Sequence, residues 1–127
     1  MLDVEIINTD KAPSAIGSYS QAVSFNGVVY ISGQIPLEPE TMEVKSFDFE
    51  DQARQVFQNL KAICEASGGD LGNLLKITVL LEDLSNFKIV NRVMEQFFTA
   101  PFPARAAYEV SALPLGVAIE VDGIMAL

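Results

Sequence analysis

The chain has 127 residues, an apolar fraction of 50%, and 8 Lys+Arg against 17 Asp+Glu, for a net charge of −9. That length predicts one domain over residues 1–127 with a real core. The charge argues against nucleic acid or an anionic membrane as partner, because no basic cluster is present to neutralise phosphates.

Val4–Ile7 reads as a short strand, and the stretch from Asn8 to Ser20, holding Pro13 and Gly17, as an ordered loop. Gln21–Phe25 and Val28–Ser32 flank Asn26-Gly27, a turn pair that tolerates positive φ, so they predict a hairpin. Gly33 to Lys45, with Pro36 and Pro39, reads as a loop. Phe49–Ser67 predicts a helix with Ala53, Val56, Phe57, Leu60, Ile63 and Cys64 on one face, Asp48 as N-cap and Gly68-Gly69 as the stop. Leu74–Leu81 predicts a buried strand. Asn86–Phe98 predicts a second helix, with Phe87, Val90, Met94, Phe97 and Phe98 inward and Pro101 and Pro103 beyond its end. Ala104–Val110 and Val117–Met125 read as two closing strands, expected to pair as a hairpin. Two helices and about six strands in this order predict an α+β domain with both helices on one sheet face. The other face would need cover, which argues for a homo-oligomer.

Histidine is absent. This removes Ser-His and Cys-His catalysis, His-ligated zinc and imidazole acid/base chemistry. No Gly-rich phosphate loop occurs. No apolar run reaches the ~20 residues of a membrane span, and the N-terminus lacks a signal-peptide pattern. The single cysteine, Cys64, has no partner within the chain. A cytoplasmic location is therefore expected. Chemistry here must come from carboxylates, arginine, tyrosine, hydroxyls and backbone groups, a set suited to an already easy reaction.

Arg105 lies among alanines in Pro103-Ala104-Arg105-Ala106-Ala107. A partly buried cation needs an anion, either a carboxylate of the protein or a substrate. Strand alternation puts Arg105, Ala107 and Glu109 on one face, and Ala118, Glu120 and Asp122 together on one face of the last strand. If the two strands form an antiparallel hairpin with Val110 opposite Val117, Ala107 falls across from Glu120 and Arg105 diagonal to it. An ion pair of Arg105 with Glu120 or Asp122 is then the commoner outcome, and room left by the alanines favours an external ligand. Asn91 shares the inward stripe of its helix, and a buried amide requires partners; a tie to a neighbouring loop is the ordinary one. Tyr19-Ser20-Gln21 and Ser32-Gly33-Gln34 are polar groups at strand ends, where binding residues often sit. Cys64 reads as core, and Glu38, Glu40 and Glu43 as a solvated loop.

Taken together, Ala15-Ile16-Gly17-Ser18-Tyr19-Ser20-Gln21-Ala22, Ile31-Ser32-Gly33-Gln34-Ile35-Pro36, Gln52-Ala53-Arg54-Gln55 with Asn59 to Ile63, Phe87 to Asn91, Phe102-Pro103-Ala104-Arg105, and Leu113-Pro114 followed by Ile119-Glu120 resemble the reactive intermediate deaminase A (RidA/YjgF) family over nearly the whole chain. The resemblance implies a chorismate-mutase-like α+β fold, and a homotrimer with three clefts between subunits. It also implies cofactor-independent hydrolysis of enamine/imine intermediates, such as 2-aminoacrylate released by pyridoxal-phosphate-dependent dehydratases, to 2-oxo acids and ammonia. It implies that Arg105 anchors the substrate carboxylate, that Glu120 positions water, and that Tyr19, Ser32, Gly33 and Asn91 line the cleft. Many members carry cysteine where this chain has Ala107, and proline where it has Ser18; the connection from Phe98 to Pro103 is a few residues short, which predicts a reshaped cleft rim. The alternative function is a non-catalytic sensor binding a 2-oxo acid in the same cleft. Ribonuclease activity, also attributed to members of the family, sits poorly with the charge and the lack of histidine.

Overall fold

A computed structural model describes residues 2–127. In chain order the elements are β1 (Glu5–Ile7), β2 (Ala22–Phe25), β3 (Val28–Gln34), α1 (Phe49–Ala66), β4 (Leu74–Leu81), α2 (Phe87–Phe97), β5 (Ala104–Glu109) and β6 (Ile119–Ala126). The strands form one mixed sheet in the order β1-β2-β3-β6-β4-β5. The Asn26-Gly27 turn joins β2 to β3 with both residues at positive φ, 52° and 77°, as a two-residue hairpin demands.

Both helices pack on one face of the sheet. The α1 stripe Ala53, Val56, Phe57, Leu60, Ile63 and Cys64 is buried against Ile77, Val79 and Leu81 of β4 and Ile119, Val121 and Met125 of β6. From α2, Val90, Val93 and Met94 enter the same core. Asp48 caps α1 by accepting from the Asp51 amide at 3.2 Å, and Gly68, at φ 101°, follows its C-terminus. Phe57 meets Phe97 and Phe98, each at 5.9 Å between ring centroids. Those contacts pin the short connection from α2 to β5. Among the described residues no helix is long and apolar enough to cross a membrane.

The expected closing hairpin does not form. β5 runs parallel to β4 at the sheet edge, with Ile77 beside Arg105 and Leu80 beside Tyr108. β6 instead enters the middle of the sheet, antiparallel to both β3 and β4, with Leu80 beside Glu120. The physical reason lies in α2. A strand, a helix and a strand in succession return the chain to the sheet as a parallel crossover, leaving β5 beside β4. Buried Ile119, Val121 and Met125 of β6 then fill the slot between β3 and β4, where α1 packs over them.

Candidate active site

Arg105 extends from β5 beneath α2. Its Nη1 donates to Asn91 Oδ1 at 2.7 Å and to the Met94 sulfur at 3.3 Å. The guanidinium carbon lies 4.5 Å from the Phe87 ring centroid, a cation–π contact. Asn91 and Phe87 are one turn apart on α2, which is why one helix face supplies both. Among the described residues Arg105 forms no ion pair. Every group that orients it is neutral, and Nε and Nη2 keep their donors. Arg105, Asn91 and Met94 border a cavity of about 400 Å³, lined also by Glu95, Phe102 and Pro103. The α2–β5 connection expected to reshape the rim supplies Phe102 and Pro103.

Glu120 lies elsewhere, so the Arg105–Glu120 ion pair expected from a closing hairpin is absent. Ile77 is in register with Arg105, and Leu80 with Glu120. Positions three apart on β4 point to opposite sheet faces. Arg105 therefore faces the helices, while Glu120 and Asp122 face the open side. Burial pushes the Glu120 carboxyl above the usual carboxylate range, and the neighbouring Asp122 charge adds to the rise. A Cβ on Gly33 would sit 2.5 Å from Glu120 Oε2 and 2.9 Å from its Cδ. Only glycine admits the carboxylate at that point, beside the register shift between Ile31 and Gln34.

A second cavity, of about 410 Å³, is bordered by Tyr19, Ser32, Gly33 and Glu120, with Ile16, Ile35 and Pro114 as apolar walls. Ser32 Oγ donates to the Ser20 carbonyl at 2.6 Å, and the Ser32 amide donates to the Gln21 carbonyl at 2.9 Å. The Ser32 hydroxyl proton is thus committed, leaving lone pairs for a donor. The Tyr19 hydroxyl accepts from the Ile16 amide at 3.4 Å, so its proton remains free to donate. The predicted residues consequently fall into two groups, Arg105 with Asn91 and Glu120 with Tyr19, Ser32 and Gly33, on opposite faces of one sheet.

Several supporting side chains are absent from the sequence-based set. Gln21, buried, accepts from the Thr9 amide at 2.7 Å, and its Nε2 donates to the carbonyls of Thr9 (3.0 Å) and Pro13 (2.8 Å). It ties down the loop that leads to Ile16 and Tyr19. Gln52 Oε1 accepts from the Ala118 amide at 2.8 Å, just before Glu120. Asn59 Nδ2 donates to the carbonyls of Ile35 (3.2 Å) and Leu37 (2.9 Å). A signal was present for the last two: 52, 56, 59 and 63 follow helical spacing, so Gln52 and Asn59 lie on the apolar face of α1. Ala107, two residues beyond Arg105, packs against the core. Cys64 is fully buried, and desolvation pushes its thiol up to about 12, so it is unfit for thiolate chemistry.

Residues 9–127 match the sequence model of the family described as Endoribonuclease L-PSP. Human 2-iminobutanoate/2-iminopropanoate deaminase is 45% identical over 119 residues, which cover 94% of this chain and 87% of that protein. The crystal structure of RidA from an Antarctic Psychrobacter superposes with a TM-score of 0.94 at 50% identity, covering 97% and 99% of the two chains. Escherichia coli TdcF, solved with bound serine, superposes with a TM-score of 0.92 at 41% identity over 97% and 98%. A family match over nearly the whole chain, relatives at this identity and a close structural superposition lead to one conclusion: the chain belongs to the RidA/YjgF family.

Proposed function

We propose that this protein hydrolyses 2-imino acids and their enamine tautomers, such as 2-aminoacrylate, 2-iminopropanoate and 2-iminobutanoate, to 2-oxo acids and ammonia. The observation that carries the reading is Arg105: a guanidinium oriented only by neutral groups, uncompensated, in a cavity large enough for a small carboxylate. Kinship to a protein named for this activity supports it. TdcF with bound serine adds a relative that takes a small carboxylate-bearing molecule.

The mechanism needs little beyond positioning. Arg105 holds the substrate carboxylate through Nε and Nη2 as a two-pronged contact, while Asn91 keeps the guanidinium in plane. Glu120 orients a water against the electrophilic imine carbon and takes its proton; a carboxyl held above its ordinary range is better matched to that exchange. Ser32 accepts from the imine N–H, Tyr19 donates into the same space, and Gly33 provides the room Glu120 occupies. Glu120 passes the proton taken from water to the imine nitrogen, giving a carbinolamine. As the C–N bond breaks and the C=O bond forms, the remaining hydroxyl proton moves to nitrogen by the same carboxylate, and ammonia leaves carrying both protons of the water. No cofactor enters these steps.

Because Arg105 and Glu120 face opposite sides of one sheet, the reading requires Arg105 of one copy to meet Glu120 of another, in the homotrimer expected for the family. Ile6, Tyr30 and Tyr108, each at least half exposed on the face away from the helices, supply apolar surface for that contact. The source of substrate would be a pyridoxal-phosphate-dependent dehydratase in the cytoplasm.

The test is to add the purified protein to a serine or threonine dehydratase and follow imine decay. Acceleration is expected, together with its loss in Arg105→Ala. Normal turnover by that variant would overturn the role of Arg105. Binding of 2-oxobutyrate without acceleration would favour the sensor. The family description also names an endoribonuclease; RNA cleavage that survives Arg105→Ala would favour that reading, against which stand the charge of −9 and the absence of histidine.

A further inference from the structure

Two charged side chains line the Arg105 cavity, and they differ in sign. Arg105 is one. Glu95 is the other, one turn beyond Asn91 on α2. Glu95 is exposed and joins no hydrogen bond or ion pair among the described residues. Asn91 and Met94 occupy Nη1 of Arg105 in place of a carboxylate, so Glu95 makes no ion pair with the guanidinium and keeps its own charge. The remaining lining, Met94, Phe102 and Pro103, is apolar.

We infer that Glu95 sets substrate selectivity, rejecting 2-imino acids whose side chain carries a second carboxylate and admitting those with neutral side chains. This rests on the proposed deaminase reading and names its substrate class. Arg105 offers one free pair of donors, which a single carboxylate fills. A volume near 400 Å³ is only about 9 Å across, so a second carboxylate in it lies within about a Debye length of Glu95. No second cation of this chain lines the cavity to offset that repulsion. A neutral side chain meets Met94 and Phe102 instead, and Phe102 is 49% exposed and available for contact.

The test compares wild type, Glu95→Gln and Glu95→Lys on two imines made in place by amino-acid oxidases, one from leucine and one from glutamate. Wild type is expected to prefer the leucine imine in kcat/KM. In Glu95→Gln that preference should fall by a factor of roughly two to five, the range of one unit-charge repulsion in water between the width of the cavity and contact distance. Glu95→Lys should lower it further, and added salt should lower it in wild type. An unchanged ratio in both variants overturns the role of Glu95 while leaving the deaminase reading intact. Failure of wild type to hydrolyse either imine overturns that reading, and this inference with it.

Discussion

A guanidinium held by an amide oxygen, a thioether sulfur and an aromatic face keeps its charge available, which a carboxylate partner would have cancelled. Glu120 presents the converse case, a carboxylate partly removed from water with another carboxylate nearby. Its raised pKa means that the native chain binds more protons than the unfolded chain between the two pKa values. Its contribution to stability therefore falls as pH rises through the unfolded and then the folded value. Glu120→Gln removes that cost. In the proposed role, the variant should lose rate by roughly 10²–10⁴ and still bind 2-oxobutyrate. It should also melt no lower than wild type at pH 7, with any gain vanishing below about pH 4, where both forms are protonated. Parallel pH-dependent melting curves and rate measurements check this; a variant that keeps full rate would move the water-positioning role elsewhere. Ala107 and the buried, high-pKa Cys64 leave the site without a reactive thiol.

At the scale of elements, periodicity carried most of the reading. Both helices, the Asn26-Gly27 hairpin and the Asp48 cap lie where apolar spacing and turn chemistry indicate, within two residues at each end. The difference from the sequence expectation is topological. Ala104–Glu109 and Ile119–Ala126 are consecutive strands, and consecutive strands often pair; here the α2 crossover sends the first beside β4, while the second fills the centre. Propensity does not distinguish these outcomes, because both strands have the same local chemistry in either place. The buried amides of α1 do the joining: Gln52 bonds the Ala118 amide ahead of β6 and the Ser46 carbonyl ahead of α1. Gln52→Ala should destabilise the fold by about 1–3 kcal/mol, the cost of leaving buried backbone groups without partners. A lowered urea midpoint with unchanged m-value would register it.

For the whole molecule, the central fact is that the two halves of the candidate site face away from each other. If copies of the chain complete the site, inactive variants should rescue one another. Arg105→Ala and Glu120→Gln, denatured together in equal amounts and refolded, would build intact sites wherever one subunit's Arg105 meets another's Glu120. Random assembly of a cyclic oligomer predicts recovery of about a quarter of wild-type activity. Absence of recovery, with the mixed oligomer shown to form by mass, would overturn a site shared by Arg105 of one copy and Glu120 of another.

The sequence by itself determined the family, the α+β class, the helix and hairpin positions, and the residue types available for chemistry. These follow from local spacing and from motifs that lie within a few residues of one another. Tertiary structure alone decided that β6 is central and β5 is an edge strand. That choice sets the sheet face of each side chain, because alternation carries across register from strand to strand. It turned Arg105 and Glu120 from apparent neighbours into groups on opposite faces, and it left Asn91 and Met94 as the partners that hold the arginine open.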